Sequence, residues 1–196
     1  IELCVSASTL SLNFNLTMPL RKLSGTEMQR LSPEEFQHAP KHPIYVMLQN
    51  IRSMWNVGSI FRTCDAARIE QIIITGYTAT PPRKEIEKTA LGATETVKWT
   101  YFQNPLDAMA WLKAQGVRLC ALEITDCSRP YDTVRPDEFP LCLIVGNEVT
   151  GIDDEVLAAC DFAIEIPQYG VKHSLNVAVA VGIALFELVK VFRHRT

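Results

Sequence analysis

Long hydrophobic runs are missing from this sequence. Its longest uncharged apolar stretch, residues 177–185, is far shorter than the roughly 18 to 20 residues that cross a bilayer. The first twenty residues have no basic segment ahead of their apolar residues, which is unlike a secretory signal peptide. We therefore expect no membrane anchor and no secretion. Met18 is a candidate start of the native chain, with residues 1–17 as an extension that is disordered or not native.

Paired cysteines of the metal-binding or redox type are also missing. The six cysteines form no C-x-x-C pair, and several lie in apolar runs, where cysteine behaves as a small hydrophobic residue. We expect a reduced, cytoplasmic protein without a metal site. The G-x-G-x-x-G fingerprint of dinucleotide enzymes is absent as well, which disfavours an unrelated oxidoreductase with a Rossmann fold.

The sequence has no excess of positive charge. A net charge of −3 argues against a protein that holds nucleic acid simply by being basic, because phosphate binding relies on clustered Lys and Arg. The charge is nevertheless uneven, with +2 over residues 1–104, −8 over 105–169 and +3 over 170–196. A basic surface can therefore still form from the two ends of the chain.

Apolar residues are abundant, at 47% of 196 residues, which is enough for one domain with one core. From residue 44 onward, short β-branched runs alternate with longer helical stretches, the pattern of a doubly wound, three-layer α/β domain with a parallel sheet. The predicted strands are 44–48, 71–75, 96–101, 117–122, 141–145 and 163–166. The predicted helices are 57–67, 83–91, 105–115, 153–160 and 175–193.

Residues 1–42 are predicted to form an N-terminal extension, and residues 43–196 the main domain. Ser32, Pro33 and two acidic residues follow one another within the extension. A serine cap, a proline at the first helical position and acids in the first turn are typical of a helix start. We therefore expect one short helix before the main domain.

The first of three polar clusters follows the first predicted strand. It has the form Asn56-x-Gly58-x-x-x-Arg62 and runs into a helix. Ligands of parallel sheets bind beyond the carboxyl ends of the strands, so polar residues at such positions are candidates for function. We expect Asn56 to cap the helix and Gly58 to permit a close approach to its start. The alternative is an ordinary capped helix with one surface arginine.

The second cluster, Gly146-Asn147-Glu148, interrupts a fully apolar strand. A glycine at a strand end admits a ligand against the backbone, and the acid can accept hydrogen bonds there. The alternative is a tight turn with a solvated Glu148.

The third cluster joins Ile166-Pro167 to Ser174-Leu175-Asn176 at the start of the last helix. We expect Ser174 to cap that helix, whose first turn offers free backbone N–H groups. The helix is so apolar that it must be covered on nearly all sides, which suggests a dimer interface.

In this order and spacing, the three clusters closely resemble the sequence motifs of the SpoU (TrmH-like) RNA 2′-O-ribose methyltransferase family of the SPOUT superfamily, over about residues 44–192. The resemblance implies a parallel-sheet, three-layer SPOUT fold with a deep trefoil knot in its C-terminal part. It also implies a homodimer, S-adenosylmethionine as cofactor and no metal ion. Physical rules of chain threading would not have predicted the knot.

The resemblance also implies roles for individual residues. The residues expected to line the cofactor pocket are Leu122, Gly146, Ile166 and Leu175. The residues that match the family's catalytic positions are Asn56, Arg62, Glu148, Ser174 and Asn176. A guanidinium is a poor proton acceptor, so we expect Arg62 to orient the ribose hydroxyl and a flanking phosphate, with Glu148 and Asn56 holding Arg62 and Ser174.

The expected reaction is methyl transfer from S-adenosylmethionine to a ribose 2′-hydroxyl of RNA. The segment before the main domain is short, and we expect no separate RNA-binding domain, which favours tRNA over rRNA as substrate. The alternative function is a catalytically silent knotted module that binds RNA or a nucleotide.

Overall fold

The structure is a computed structural model that describes residues 20–28 and 30–194. It divides into two units, Ile1–Ser32 and Pro33–Thr196. In the first unit, Arg21 forms an ion pair with Glu27, at 2.6 Å between Nη2 and Oε1. The predicted extension over residues 1–17 lies outside the described residues.

A sheet of seven parallel strands lies at the centre of the larger unit. Strands β1 to β7 are His42–Gln49, Ile69–Thr75, Trp99–Phe102, Arg118–Leu122, Arg129–Pro130, Leu141–Val145 and Phe162–Glu165. Their order across the sheet is β3-β2-β1-β6-β4-β7-β5, and every pairing is parallel. The carboxyl ends of all strands therefore meet at one edge of the sheet.

Helices connect the strands. Helices α1 to α7 are Pro33–His38, Met54–Ala66, Lys84–Ala90, Ala93–Thr96, Pro105–Ala114, Asp154–Ala158 and Val177–Arg193. Two short 3-10 turns, Tyr131–Thr133 and Pro136–Glu138, lie between β5 and β6. Within the described residues, none of the helices combines the length and the apolar character that crossing a bilayer requires.

Both faces of the sheet are buried. On one face, Val46 and Leu48 of β1 belong to a core cluster that includes residues of α2, α3 and α7. On the other face, Met47 belongs to a second cluster that includes residues of α5 and α6. Alternate residues of a strand point to opposite faces, so this division places helices on both sides of the sheet, as the α/β pattern predicts.

The predicted elements are all present, with shifted ends, but two short elements were missed. β5 consists of an arginine and a proline, which carry no strand pattern, and it forms by pairing with β7 at the sheet edge. α4 occupies residues that precede the late start of β3, so the predicted strand 96–101 begins too early. α4 follows Gly92, whose φ of 88° is accessible to glycine at little cost.

Gly58 marks the contact between α2 and α3. A Cβ atom at this position would lie 2.2 Å from the carbonyl oxygen of Ile86 and 2.1 Å from Oγ1 of Thr89. We expected Gly58 to permit a close approach to the start of its helix. The structure shows that α3 of the same chain makes this approach.

The contact predicts the effect of replacing Gly58. We expect Gly58→Ala to lower the free energy of unfolding by about 1 to 3 kcal/mol, because the backbone of α3 must move to accept the methyl group. Gly182→Ala is the matched control, since Gly182 lies in α7 and its Cβ would meet only Thr63 Cγ2, at 3.9 Å. Denaturant unfolding at one protein concentration measures both. Equal stability of the two variants would contradict the close contact.

Candidate active site

A cavity of about 740 Å³ opens at the carboxyl edge of the sheet, beyond β4, β6 and β7. The four residues predicted to bind the cofactor, Leu122, Gly146, Ile166 and Leu175, all line it. Three of the predicted catalytic residues, Glu148, Ser174 and Asn176, line it as well. Residues far apart in the sequence therefore meet at this cavity because the carboxyl ends of their strands are neighbours.

Glu148 binds the start of α2. Its Oε2 accepts a hydrogen bond from the backbone N–H of Arg52 at 2.9 Å, and its Oε1 accepts one from the N–H of Ser53 at 3.0 Å. Oε1 also accepts a hydrogen bond from Nδ2 of Asn56 at 2.8 Å. The carboxylate thus connects the loop after β6 to the loop after β1.

Asn56 extends this connection to α7. Its Oδ1 accepts a hydrogen bond from Nδ2 of Asn176 at 3.1 Å. Asn176 is the N-cap of α7, and its Oδ1 accepts hydrogen bonds from the N–H groups of Ala178 and Val179 at 2.9 and 3.4 Å. One chain of side chains, Glu148–Asn56–Asn176, therefore joins all three polar clusters at the mouth of the cavity.

The environment of Glu148 affects its protonation. Partial burial by itself raises the pKa of the carboxyl group, but hydrogen bonds from Arg52, Asn56 and Ser53 together outweigh it and leave the pKa below its ordinary value. Hydrogen bonds donated to a carboxylate favour its charged form. Glu148 is therefore an anion that accepts hydrogen bonds at neutral pH.

Further carboxylates line the cavity. Glu123 accepts hydrogen bonds from the N–H groups of Ile124 and Ile152 at 3.0 and 3.2 Å, and Glu165 accepts one from Oγ of Ser128 at 2.5 Å. Asp154 also contributes to the lining. Carboxylates beside apolar side chains suit a ligand that combines an apolar ring, hydroxyl groups and positive charge.

The sequence placed Asn147 in the second cluster but gave it no role, although it shapes the turn that carries Glu148. Its side chain is 6% exposed, and its Oδ1 accepts hydrogen bonds from the N–H groups of Val149 and Thr150 at 2.8 and 3.1 Å. Its Nδ2 donates to the carbonyl oxygen of Asn50 at 3.0 Å. A Gly-Asn pair after a buried strand is the signal that could have identified it, because an asparagine side chain in a turn commonly bonds to its own turn.

Gly146 leaves room for the backbone of its own turn. A Cβ here would lie 2.3 Å from the carbonyl carbon and oxygen of Gly151 and 2.4 Å from the nitrogen of Ile152. We expected the glycine to admit a ligand against the backbone. The structure shows that the missing side chain makes room for the returning backbone of the same turn, so a larger residue would disturb the turn as well as the cavity.

Two capping predictions are wrong. Ser53, not Asn56, caps α2, and its Oγ accepts a hydrogen bond from the N–H of Asn56 at 3.3 Å. Asn176, not Ser174, caps α7, which begins at Val177. In both cases a capping side chain lies within three residues of the predicted one, and the side chain of Asn56 is engaged by Glu148 instead.

The structure does not bring Arg62 to the Glu148–Asn56–Asn176 chain. Arg62 is exposed on α2, and among the described residues its guanidinium makes no hydrogen bond or ion pair. Ser174 is exposed at the cavity and likewise has no hydrogen bond among those residues. The expectation that Glu148 and Asn56 hold Arg62 and Ser174 is therefore wrong, because Glu148 is occupied by the start of α2.

Comparison with known proteins points to one family. Residues 43–186 match the model of the SpoU rRNA methylase family. The tRNA (guanosine(18)-2′-O)-methyltransferase of Thermus thermophilus is 32% identical over 165 residues, which cover 83% of this chain and 82% of that enzyme. The Escherichia coli enzyme of the same name is 32% identical over 72% of this chain and 61% of its own.

Solved structures agree with this comparison. The TrmH/SpoU tRNA-modifying enzyme of A. aeolicus superimposes with a TM-score of 0.73 and 28% identity, over 83% of this chain and 81% of that chain. An rRNA methyltransferase from Sinorhizobium meliloti with bound AdoMet gives a TM-score of 0.72 and 33% identity, over 86% and 62% of the two chains.

The lowered pKa of Glu148 predicts how its contribution to stability depends on pH. A carboxyl group with a lower pKa in the folded state stabilises that state above its unfolded pKa of about 4.3, and this contribution is lost as the pH falls through the folded pKa. We expect Glu148→Gln to lower the free energy of unfolding at pH 7, and the difference from the unmodified chain to shrink below about pH 4.

Denaturant unfolding between pH 7 and about pH 2.5, a range that extends well below the ordinary carboxyl pKa, measures this difference, and Glu155→Gln is the matched control. Glu155 is an exposed carboxylate in the first turn of α6. A Glu148→Gln difference that stays constant over this pH range would contradict the assignment.

Proposed function

The chain belongs to the SpoU rRNA methylase family, and we propose that it transfers a methyl group from S-adenosylmethionine to a ribose 2′-hydroxyl of RNA, with tRNA favoured over rRNA. The match to the family model confirms the resemblance predicted from the sequence motifs. The observation that carries the proposal is the Glu148–Asn56–Asn176 chain, which joins the three motifs beside the cavity. The names of the relatives from Thermus thermophilus and Escherichia coli support tRNA as the substrate.

We propose that S-adenosylmethionine binds in the cavity. Leu122, Ile166 and Leu175 offer apolar surface, Gly146 lies at the end of β6, and the carboxylates of the lining suit a ligand with positive charge. When bound, this cofactor supplies a methyl group on a sulfonium, which is already activated for transfer. The protein must then position the ribose and assist the hydroxyl in losing its proton.

The residues predicted to be catalytic divide into those that position the loops and those that are free to contact RNA. Glu148, Asn56 and Asn176 hold the start of α2 against the start of α7 and so position the groups around the cavity. Ser174 and Arg62 remain available to the RNA, since neither has a hydrogen-bond partner among the described residues. A guanidinium is a poor proton acceptor, and we propose that Arg62 orients the hydroxyl and a phosphate and stabilises the developing negative charge.

We also propose that the C-terminal part of the domain forms a deep trefoil knot, as the family resemblance implies. The strand order supports this proposal. β7 lies between β4 and β5, although residues 123–128 already connect those two strands. After β6, the chain must therefore pass this connecting loop to place β7 between β4 and β5. Such a path is compatible with a chain threaded through the loop.

A homodimer is a further part of the proposal. Val179, Ile183 and Phe186 are spaced three and four residues apart on one face of α7, and they are 51%, 37% and 50% exposed. Exposed apolar residues at helical spacing indicate a face that a partner covers. We propose that a second copy of the chain covers this face.

The remaining predictions stay within the proposal. We propose residues 1–42 as an extension of a methyltransferase domain over 43–196, and a cytoplasmic location, where tRNA is found. We propose no metal ion, because a sulfonium methyl group needs no metal to activate it.

Methyl transfer to defined RNA tests the proposed function. Purified full-length chain is incubated with methyl-labelled S-adenosylmethionine and unmodified tRNA or rRNA, and the labelled nucleotide is mapped. We expect label on a ribose 2′-oxygen of tRNA and none when that position carries a 2′-deoxyribose. Binding of cofactor and RNA without any transfer would instead support a catalytically silent module.

The role proposed for Arg62 predicts a large effect on turnover. We expect Arg62→Ala to lower single-turnover methyl transfer by at least about 100-fold, the scale of losing one positioned electrostatic group, with S-adenosylmethionine affinity nearly unchanged. Arg62→Lys restores little, because an ammonium cannot reproduce the planar guanidinium. Lys98→Ala is the control, since Lys98 is exposed beside the amino end of β3, away from the cavity. A near-normal rate for Arg62→Ala would refute the role.

The proposed dimer predicts a change in sedimentation. We expect the unmodified chain to be dimeric at micromolar concentration, and the double variant Ile183→Asp, Phe186→Asp to sediment as a monomer because charges would be buried in the interface. Leu91→Asp is the control, since Leu91 is exposed outside α7. A stable monomer for the unmodified chain would contradict the proposal.

A further inference from the structure

Trp55 is an exposed tryptophan beside the candidate active site, with 47% of its surface accessible. It directly precedes Asn56, whose side chain belongs to the Glu148–Asn56–Asn176 chain. Neighbouring residues of a helix point about 100° apart, so Trp55 faces outward at the side of the site. A large aromatic ring in solvent has no benefit for folding, so its exposure points to a contact with another molecule.

The position of Trp55 is fixed by the helices around it. Its carbonyl oxygen accepts hydrogen bonds from Oγ of Ser59 at 2.8 Å and from Oγ1 of Thr89 at 3.0 Å. α3 also lies against α2 at Gly58, where no Cβ would fit. The backbone that carries the indole is therefore held between two helices, and a ligand that contacts the ring need not order that backbone first.

One cation lies close to the ring, and two more lie nearby along the chain. Nζ of Lys88 lies 5.5 Å from the ring centroid, and Arg52 and Arg62 are exposed three residues before and seven residues after Trp55. A seven-residue spacing places Arg62 on nearly the same face of α2 as Trp55. None of the three cations forms an ion pair with a described residue, although α3 also carries Glu85 and Glu87.

We propose that Trp55 is a stacking platform for an RNA base next to the methylated nucleotide. The inference rests on the proposed function and adds an RNA contact to it. An aromatic ring binds the face of a base while cations beside it bind phosphates, the combination typical of surfaces that hold single-stranded nucleic acid. Since the next residue in the helix belongs to the active site, a base on Trp55 would flank the reacting ribose.

Charge favours RNA over a second copy of the chain as the occupant. If the same face of two copies met, Lys88, Arg52 and Arg62 would approach their own equivalents, and like charges in an interface cost free energy. A polyanion neutralises them. On the exposed apolar face of α7, by contrast, the nearest cation along the helix is Lys190, four residues after Phe186, and it is paired with Glu187.

Trp55→Ala, Trp55→Phe and Trp111→Ala test the platform in the 196-residue chain, with unmodified tRNA as the probe. Trp111 is the matched control, because it is also a partly exposed tryptophan, at 36%, but lies on α5 on the other face of the sheet. We expect Trp55→Ala to weaken RNA binding by about 5- to 100-fold, the range of stacking on one base. Trp55→Phe retains most of the affinity, and Trp111→Ala, cofactor affinity and sedimentation are unchanged.

An RNA that lacks single bases identifies the stacked one. Abasic positions are scanned on each side of the methylated nucleotide, and we expect one of them to weaken binding as Trp55→Ala does, with no further loss when the two changes are combined. Unchanged RNA affinity of Trp55→Ala, fully additive losses at every abasic position, or a shift to monomer would overturn the proposal. If the unmodified chain methylates RNA and Trp55→Ala binds that RNA with the same affinity, the platform alone is refuted, whereas an unmodified chain that binds no RNA refutes the proposed function too.

Discussion

The Glu148 carboxylate is the interaction on which the site depends. It accepts hydrogen bonds from two backbone N–H groups at the start of α2 and from Asn56, and Asn56 passes the connection to Asn176. Asn147 also connects the loop after β6 to the loop after β1, through the carbonyl oxygen of Asn50, but the Glu148–Asn56–Asn176 chain extends the connection to α7. Because a carboxylate with several donors is favoured in its charged form, one ionised side chain holds the loops at neutral pH.

The parallel sheet makes that interaction possible. Parallel strands present all of their carboxyl ends at one edge, so the loops after β1, β4, β6 and β7 meet there although long stretches of chain separate them. The helices that follow β1 and β7 then begin at this edge and expose their first N–H groups to it. Glu148 binds the N–H groups of Arg52 and Ser53 just before α2, and Asn176 binds those at the start of α7. The cavity lies between the loops that they hold.

Glycine and capping residues show that a local pattern can predict the position of a constraint correctly and still predict the wrong interaction partner. Gly58 and Gly146 both permit a close approach, but the approaching group is the chain's own backbone in each case. Asn56 lies in the first turn of its helix, yet Ser53 caps it. The local pattern indicates that a constraint exists, whereas only the packed chain reveals which atom imposes it.

The sequence by itself determined the alternation of strands and helices and the three motifs, because periodicity and strand ends are local properties, and the family resemblance of those motifs implied four residues that line the cavity. The tertiary structure decided the contacts between them: Asn56 lies 92 residues from Glu148 and 120 residues from Asn176. It also decided β5, which exists only through pairing with β7, and the separation of Arg62 from Glu148. Hydrogen bonds between residues so far apart in the sequence depend on how the chain packs, and no local pattern encodes which donor lies beside a given acceptor.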